Sequence, residues 1–384
     1  MPRRSSPHPV DRLLVVAPNW LGDVVMTTPL LDWLQQVRLG EGAPRFRLIL
    51  AVRSAWAPLF AGDSRVDEIV VTERPGQHAG IAGLVRLAAR WREAKCDAAL
   101  LAPPSLRVAL VARRAGIPVR VGHRGDGRSL LLTRAVARPS RGTRHYSMEL
   151  LELGRELATA VGWDARALPA IDTIGPASLA GALKGSMPLH AAGGRTLWAL
   201  GAGTTYGPAK TWTTRRIADF AAAAVAEDGV RLLLLGDSGA APLVAALRAA
   251  TPGLRWAAGE DAVDAEPLAD IIDLTGATDL PAAVGWLRRC SAYIGNDSGL
   301  MHVAAALGTP TVGLFGSSNP DWTRPSGARV AVVTADGFAC RPCYRRTCNQ
   351  PVFCLDTVDG LRVLGAVRGL LRADGDVRTG GAAS

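Results

Sequence analysis

Short apolar runs alternate along this chain with longer stretches in which apolar residues recur every three or four positions. That alternation predicts parallel strands covered by helices, an α/β architecture. In the first half, strands are expected over residues 13–17, 46–52, 68–71, 98–102 and 119–122, with helices over about 24–38, 81–93, 106–115 and 145–161. After a stretch rich in Pro, Gly, Ala and Ser the rhythm restarts. Strands are expected over 196–200, 231–235, 292–295 and 311–315, and helices over 214–227 and 281–289. A last amphipathic helix near 360–371 precedes a Gly/Ala-rich tail expected to be disordered. The expected organisation is a first domain over 1–170, a linker region over 171–194, a second domain over 195–357 and a C-terminal helix with flexible tail over 358–384. Two such halves place a ligand site in the cleft between them, at the carboxyl ends of the strands.

Composition narrows the field only modestly. A chain of 384 residues with 48% hydrophobic content can bury two cores. No apolar run is long and uncharged enough to span a bilayer. Residues 1–9 are basic but no apolar segment follows them, so a secretory signal is not expected and the cytoplasm is the default location. The net charge of +10 comes largely from arginine. It suits phosphorylated substrates, anionic lipid surfaces or nucleic acid, and it equally reflects a GC-rich coding sequence. Zinc-finger spacing, RNA-binding aromatic motifs and basic helices are all missing from the sequence, so nucleic acid is not expected as a partner.

Three turns after strands carry candidate chemistry. In Asn19-Trp20-Leu21-Gly22-Asp23, Gly22 permits a tight turn and Asp23 stands at the start of a helix. A carboxylate there either takes a proton from an incoming hydroxyl or simply serves the helix as a cap or first-turn acid. The second turn, Gly201-Ala202-Gly203-Thr204-Thr205-Tyr206-Gly207-Pro208-Ala209-Lys210, has glycines that let backbone approach a ligand, hydroxyls that can cradle phosphate, and a mobile cation in Lys210. It lacks both the P-loop spacing and the dinucleotide fingerprint. The third is Gly295-Asn296-Asp297-Ser298-Gly299-Leu300-Met301-His302, where Asp297 and Ser298 sit between a strand and a helix that stops at Gly308. Free N–H groups and the positive end of the helix dipole suit an anion or a ring of hydroxyls there, unless Asp297 or Ser298 is only a cap. His302, one turn into the helix, faces either the ligand or the neighbouring packing.

Other features allow two readings. Cys340, Cys343, Cys348 and Cys354 gather four of the six cysteines in a loop-rich stretch, 340–354, suited to a closed structural zinc site or to free thiols. Cys96 and Cys290 border apolar strands and are expected to be buried. Arg113, Arg114, Arg120, Arg124, Arg128 and Arg134 line an acidic acceptor or form a solvated surface. Trp20, Trp33 and Trp56 touch sugar or membrane, or serve core and rim.

Taken in order, Trp20-Leu21-Gly22-Asp23, Gly207-Pro208-Ala209-Lys210 and Asn296-Asp297-Ser298-Gly299-Leu300-Met301-His302 resemble the ADP-heptose:lipopolysaccharide heptosyltransferases of glycosyltransferase family 9. Gly116-Ile117-Pro118 and Gly122-His123-Arg124-Gly125 are most similar to the type II enzymes. The likeness covers residues 12 to about 335 and the last helix; similar cysteine-bearing loops occur in some members. The resemblance implies a GT-B fold: two Rossmann-like doubly wound domains facing across a central cleft, the first on the acceptor side, the second binding the donor, with the last helix crossing back. It implies inverting, metal-independent transfer of heptose from ADP-L-glycero-D-manno-heptose to heptosyl-Kdo2-lipid A, with no cofactor required for catalysis. The setting it implies is the cytoplasm, peripherally at the inner face of the inner membrane, with a lipid-linked lipopolysaccharide inner core as acceptor. By the same resemblance Asp23 is the base, Lys210 supports the donor diphosphate with Thr204 and Thr205, and Asp297 holds sugar hydroxyls with Ser298, Gly299 and His302 around it. The alternatives are another family 9 enzyme, such as a type I heptosyltransferase, a nucleotide-sugar epimerase, or a non-catalytic nucleotide-sugar binder. An epimerase needs a second acid/base set, and the sequence offers no further convergent His/Glu group.

Overall fold

A computed structural model describes residues 10–40, 44–73, 76–164, 166, 168–179 and 195–380. The chain divides into two units, residues 1–184 and 185–384. Within the first, six strands form a wholly parallel sheet: β1 (Arg12–Val16), β2 (Arg47–Arg53), β3 (Glu68–Thr72), β4 (Ala98–Leu101), β5 (Val119–His123) and β6 (Arg134–Val136). Their spatial order is β3-β2-β1-β4-β5-β6, the Rossmann order. Leu13, Leu14, Val15, Ala98, Ala99 and Leu100 are fully buried because helices cover both faces of the sheet, which is why these strands read as continuous apolar runs.

The second unit repeats the plan with seven parallel strands: β7 (Leu197–Gly201), β8 (Arg231–Leu235), β9 (Trp256–Ala258), β10 (Ile271–Asp273), β11 (Ala292–Asn296), β12 (Thr311–Phe315) and β13 (Val330–Thr334). They are ordered β13-β12-β11-β7-β8-β10-β9. Trp198, Trp212 and Phe220 anchor its core, with ring centres 6.4 Å apart for Trp198–Phe220 and 6.0 Å for Trp212–Phe220. Trp212 Nε1 donates to the Val358 carbonyl at 2.9 Å, which ties the entry to the last helix, Gly360–Gly380, against the helix Thr214–Asp228.

In each sheet the chain crosses to the other side of its first strand, which puts β4 beside β1 in the first unit and β11 beside β7 in the second. Splayed loops at such a switch point open a crevice beyond the strands' carboxyl ends. The turn ending in Asp23 follows β1, the glycine-rich turn follows β7, and Asp297 follows β11. All three informative turns therefore sit at switch-point strands.

Several elements depart from expectation. The helix expected over 24–38 is two, Leu21–Val25 and Thr28–Leu39. Thr27 Oγ1 donates back to the Asp23 carbonyl at 2.9 Å, Thr28 Oγ1 to Val25 at 2.8 Å, and Pro29 cannot donate, so the helix breaks. β6, β9 and β10 are three residues each, too short to show a period, and were not expected; nor were β13 or the helix Ala241–Ala250. Part of the expected linker is ordered: Ala177 and Leu179 are buried and Ser178 N donates to Thr28 Oγ1 at 3.0 Å. Residues 180–194 lie outside the described residues. The last helix runs on to Gly380 rather than ending near 371, and residues 381–384 of the expected tail lie outside the described residues. Among the described residues no helix is long and apolar enough to cross a membrane.

Candidate active site

Asp23 lies in the first turn of the helix Leu21–Val25, whose entry residue Trp20 makes no side-chain capping bond. The carboxylate is half-buried. It lies close enough to Tyr146 to act on its phenol, which burial first and the Asp23 charge second hold firmly protonated. Gly22 is buried beneath the turn, and Val24 N donates to Trp20 O at 2.9 Å to close it. Trp20 is 51% exposed beside Asp23, while Trp56 Nε1 donates to Asn19 O at 3.0 Å and braces the same loop. Trp33 is core, its Nε1 bonded to the Pro169 carbonyl at 2.9 Å.

The arginines expected to line one surface do not stay together. Arg113 and Arg114 end the helix Leu106–Arg114, and Arg120 and Arg134 open or lie near the start of β5 and β6, so these four occupy the amino ends of the strands, away from the Asp23 turn. Arg120 holds the carbonyls of Ile117, Pro118 and Leu131, and Arg134 pairs with Glu156 at 2.7 Å. Arg124 Nε donates to the Ala135 carbonyl at 3.2 Å. Arg128 is fully buried, donating to the carbonyls of His123 (2.8 Å), Leu101 (3.3 Å) and Pro103. Its charge orders main chain beyond β4 and β5; it is not a solvated contact for an acceptor.

Beside it, burial first, then Arg138 and Arg128, push His123 down to about 4. A depressed histidine stays neutral when folded but takes up a proton on unfolding below about 6.5. Its contribution is present above that pH and fades as pH falls toward 4. We expect the first unit to lose on the order of 3 kcal/mol across this interval. Chemical denaturation at pH 7 and pH 4.5 checks this, because His123→Leu should flatten the pH dependence.

In the second unit the glycine-rich turn and the Asp297 turn meet. Lys210 Nζ donates to Asp297 Oδ2 at 2.5 Å. Thr323 Oγ1 reaches the same oxygen at 3.4 Å, and His302 Nε2 lies 3.9 Å from Oδ1, ion-pair range rather than a hydrogen bond. Burial alone raises the Asp297 carboxyl, but His302 and Lys210 outweigh it and hold the group well below the usual carboxylate range. The cap alternatives for this turn do not describe what it does. Ser298 is the N-cap residue of the helix Gly299–Ala306 yet makes no side-chain capping bond, and the Asp297 side chain turns to Lys210 instead of to the helix. The first-turn N–H groups of that helix are left outward beside Gly299. Asn296 Oδ1 accepts from Trp212 N at 2.8 Å and so locks β11 to the chain just after Lys210.

Thr204 Oγ1 bonds the Gly207 carbonyl at 3.0 Å, and Thr205 Oγ1 donates to Asp237 Oδ2 at 3.0 Å. Both hydroxyls thus shape the loop in this state. His302 Nδ1, Ser317 Oγ and Ser318 Oγ are buried with no hydrogen-bond partner among the described residues. Ser317 and Ser318 follow β12, next to β11, and their buried hydroxyls are not satisfied by the described residues. Sequence reasoning passed over them, and over Thr323 and Arg346, since none stands in a motif, and it gave Tyr206 no role within the glycine-rich turn; only their places in the folded chain mark them.

Gly207 has φ of +149°, and a Cβ there would meet the Arg346 carbonyl oxygen at 2.6 Å. Gly207→Ala is therefore expected to shift the loop and cost about 1–3 kcal/mol. Thermal melting of the variant against the wild type reads the effect.

Cys340, Cys343, Cys348 and Cys354 line one small cavity with Ala209 and Ser317, all as free thiols. Among the described residues no three Cys, His, Asp or Glu side chains converge closely enough to hold a metal ion. As placed, these thiols do not form a tetrahedral zinc set. Cys96 and Cys290 are buried, and burial pushes both thiols up to about 12, the behaviour of small core residues.

The profile of glycosyltransferase family 9 (heptosyltransferase) matches residues 84–353. Lipopolysaccharide heptosyltransferase 2 of Escherichia coli strain K12 is 29% identical over 334 residues, covering 84% of this chain and 87% of that protein. Lipooligosaccharide heptosyltransferase 2 of Haemophilus influenzae is 27% identical over 337 residues, covering 84% and 88%. Among solved structures, E. coli ADP-heptose lipopolysaccharide heptosyltransferase II superposes with a TM-score of 0.71 at 25% identity, covering 95% of this chain and 99% of that one, in agreement with the GT-B class. With two parallel Rossmann-like sheets, motif turns at their switch points and a profile match over most of its length, the chain belongs to glycosyltransferase family 9.

Proposed function

We propose that this enzyme transfers heptose, with inversion and without a bound metal, from ADP-L-glycero-D-manno-heptose to the heptosyl-Kdo2-lipid A acceptor of the lipopolysaccharide inner core. The observation that carries the reading is the Lys210–Asp297 pair: a buried carboxylate held ionised beside a cation, at the end of the switch-point strands, with unpartnered polar atoms around it. A carboxylate kept charged suits sugar hydroxyls as donors, and the cation suits a departing diphosphate. The similarity to two heptosyltransferases 2 over most of the chain supports heptose as the sugar and a lipopolysaccharide-type acceptor.

In this reading Asp23 accepts the proton of the acceptor hydroxyl as its oxygen forms the new bond to the anomeric carbon. The bond from that carbon to the diphosphate breaks, and ADP leaves with the electron pair. Lys210, with Thr204, Thr205 and the loop N–H groups, stabilises the leaving charge, so a metal ion is not needed for that task. Asp297, Ser298, Gly299 and His302 orient the heptose. Since the acceptor is lipid-anchored, the enzyme works at the inner face of the inner membrane as a peripheral protein, its basic charge assisting.

The test is transfer in the presence of a chelator, with the product's anomeric configuration read by NMR. Undiminished rate and a configuration opposite to the donor's are expected. Retention, or loss of activity restored by a divalent ion, contradicts the mechanism.

A further inference from the structure

The loop that bears the cysteines is laced to the donor loop by main-chain atoms. Tyr206 Oη donates to the Tyr344 carbonyl at 2.6 Å, Ala209 N donates to the Arg346 carbonyl at 3.0 Å, and Tyr344 N donates to the Ser317 carbonyl at 2.9 Å. Trp322 meets the Tyr344 ring edge-on at 6.0 Å, so the same segment is also braced from beyond β12. Residues 344–346 therefore fix the shape of the turn around Lys210, and they do so without using the Arg346 side chain.

That side chain has a different setting. It is exposed, and its guanidinium carbon lies 5.5 Å from the centre of the Tyr206 ring. Lys210 Nζ lies 4.8 Å from the centre of the same ring. Asp297 neutralises Lys210, whereas no carboxylate among the described residues lies within ion-pair distance of Arg346. Two cations thus share one aromatic ring, and only Lys210 of the two has a carboxylate partner. Attraction to the ring face offsets part of their repulsion, and a bound anion would relieve the rest.

We propose that Arg346 is a second cationic contact for the diphosphate of the nucleotide-sugar donor, placed beside Lys210 by the cysteine-bearing loop; this rests on the donor reading above. The pair of Lys210 with Asp297 carries little net charge toward a ligand, while a nucleoside diphosphate gains negative charge as its sugar leaves. A guanidinium answers that charge with two parallel N–H bonds, a geometry that a lysine does not offer. The cysteine-bearing loop thereby acquires a task in the reaction, and a cation outside every motif joins the site.

Calorimetric titration of Arg346→Ala with ADP, AMP and adenosine tests the proposal, with melting temperature as a check on folding. The Arg346 carbonyl that holds Ala209 survives the substitution. ADP should bind about 10-fold or more weakly, adenosine as in the wild type, and Arg346→Lys should recover part of the loss. Wild-type ADP affinity in Arg346→Ala overturns the proposal. An equal loss for adenosine overturns it too, because the loop itself would then have moved. A wild-type protein that binds no ADP removes the donor reading, and the proposal with it.

Discussion

Asp23→Asn is expected to lower single-turnover transfer by about 10²- to 10⁴-fold while leaving ADP-heptose affinity unchanged. The carboxylate sits in the first turn of a five-residue helix that has no side-chain cap, so its removal costs that helix little. Its neighbour Tyr146 is held protonated and cannot take over as base at neutral pH. Asparagine keeps the shape and the hydrogen-bonding reach but cannot accept a proton. A rapid-quench measurement with saturating donor reads the chemical step, and titration calorimetry reads binding. A wild-type rate removes Asp23 from the chemistry, and lost donor binding makes its role structural.

Lys210→Ala is expected to weaken ADP and ADP-heptose binding by about 10- to 100-fold, the worth of one hydrogen bond to a charged group. It also strands a carboxylate. Asp297 is 6% exposed and keeps only Thr323 at 3.4 Å and His302 at 3.9 Å, so the second unit should lose on the order of 2–4 kcal/mol. In the wild type His302 and Lys210 together hold the Asp297 carboxyl below its usual range, so its contribution is present above about pH 4 and is lost below it. Without Lys210 only His302 still opposes burial, so the depression shrinks and the stability lost on acidification shrinks with it. Denaturation at pH 7.5 and pH 3.5 should show a smaller acid loss in the variant than in the wild type. Unchanged ADP affinity removes Lys210 from the donor site, and a variant as stable as the wild type at both pH values contradicts the burial argument.

Much of the architecture is legible before any coordinates, for identifiable reasons. Strands buried on both faces, such as β1, β8 and β12, have no polar side chain after their first residue and announce themselves. β9 and β10 do not, since three residues carry no period and only their partners define them. Asp23, Lys210 and Asp297 were legible as candidates because switch-point turns need glycines and the proposed chemistry needs charge. The pairing of Lys210 with Asp297 was not, for a separation of 87 positions hides a contact of 2.5 Å. Arg128 shows the opposite failure: in sequence it is one of several arginines, and only burial reveals that it serves carbonyl oxygens. Ser317, Ser318 and Arg346 gain meaning solely from what lies beside them in space.

The most direct measurement of the central claim is single-turnover transfer from ADP-heptose to Kdo2-lipid A bearing either no heptose or one, with products read by mass spectrometry. The account predicts one added heptose on the mono-heptosylated acceptor and none on the bare one. Addition to the bare acceptor alone contradicts the proposed acceptor and points to a type I reaction, while donor binding without transfer to either contradicts the proposed activity.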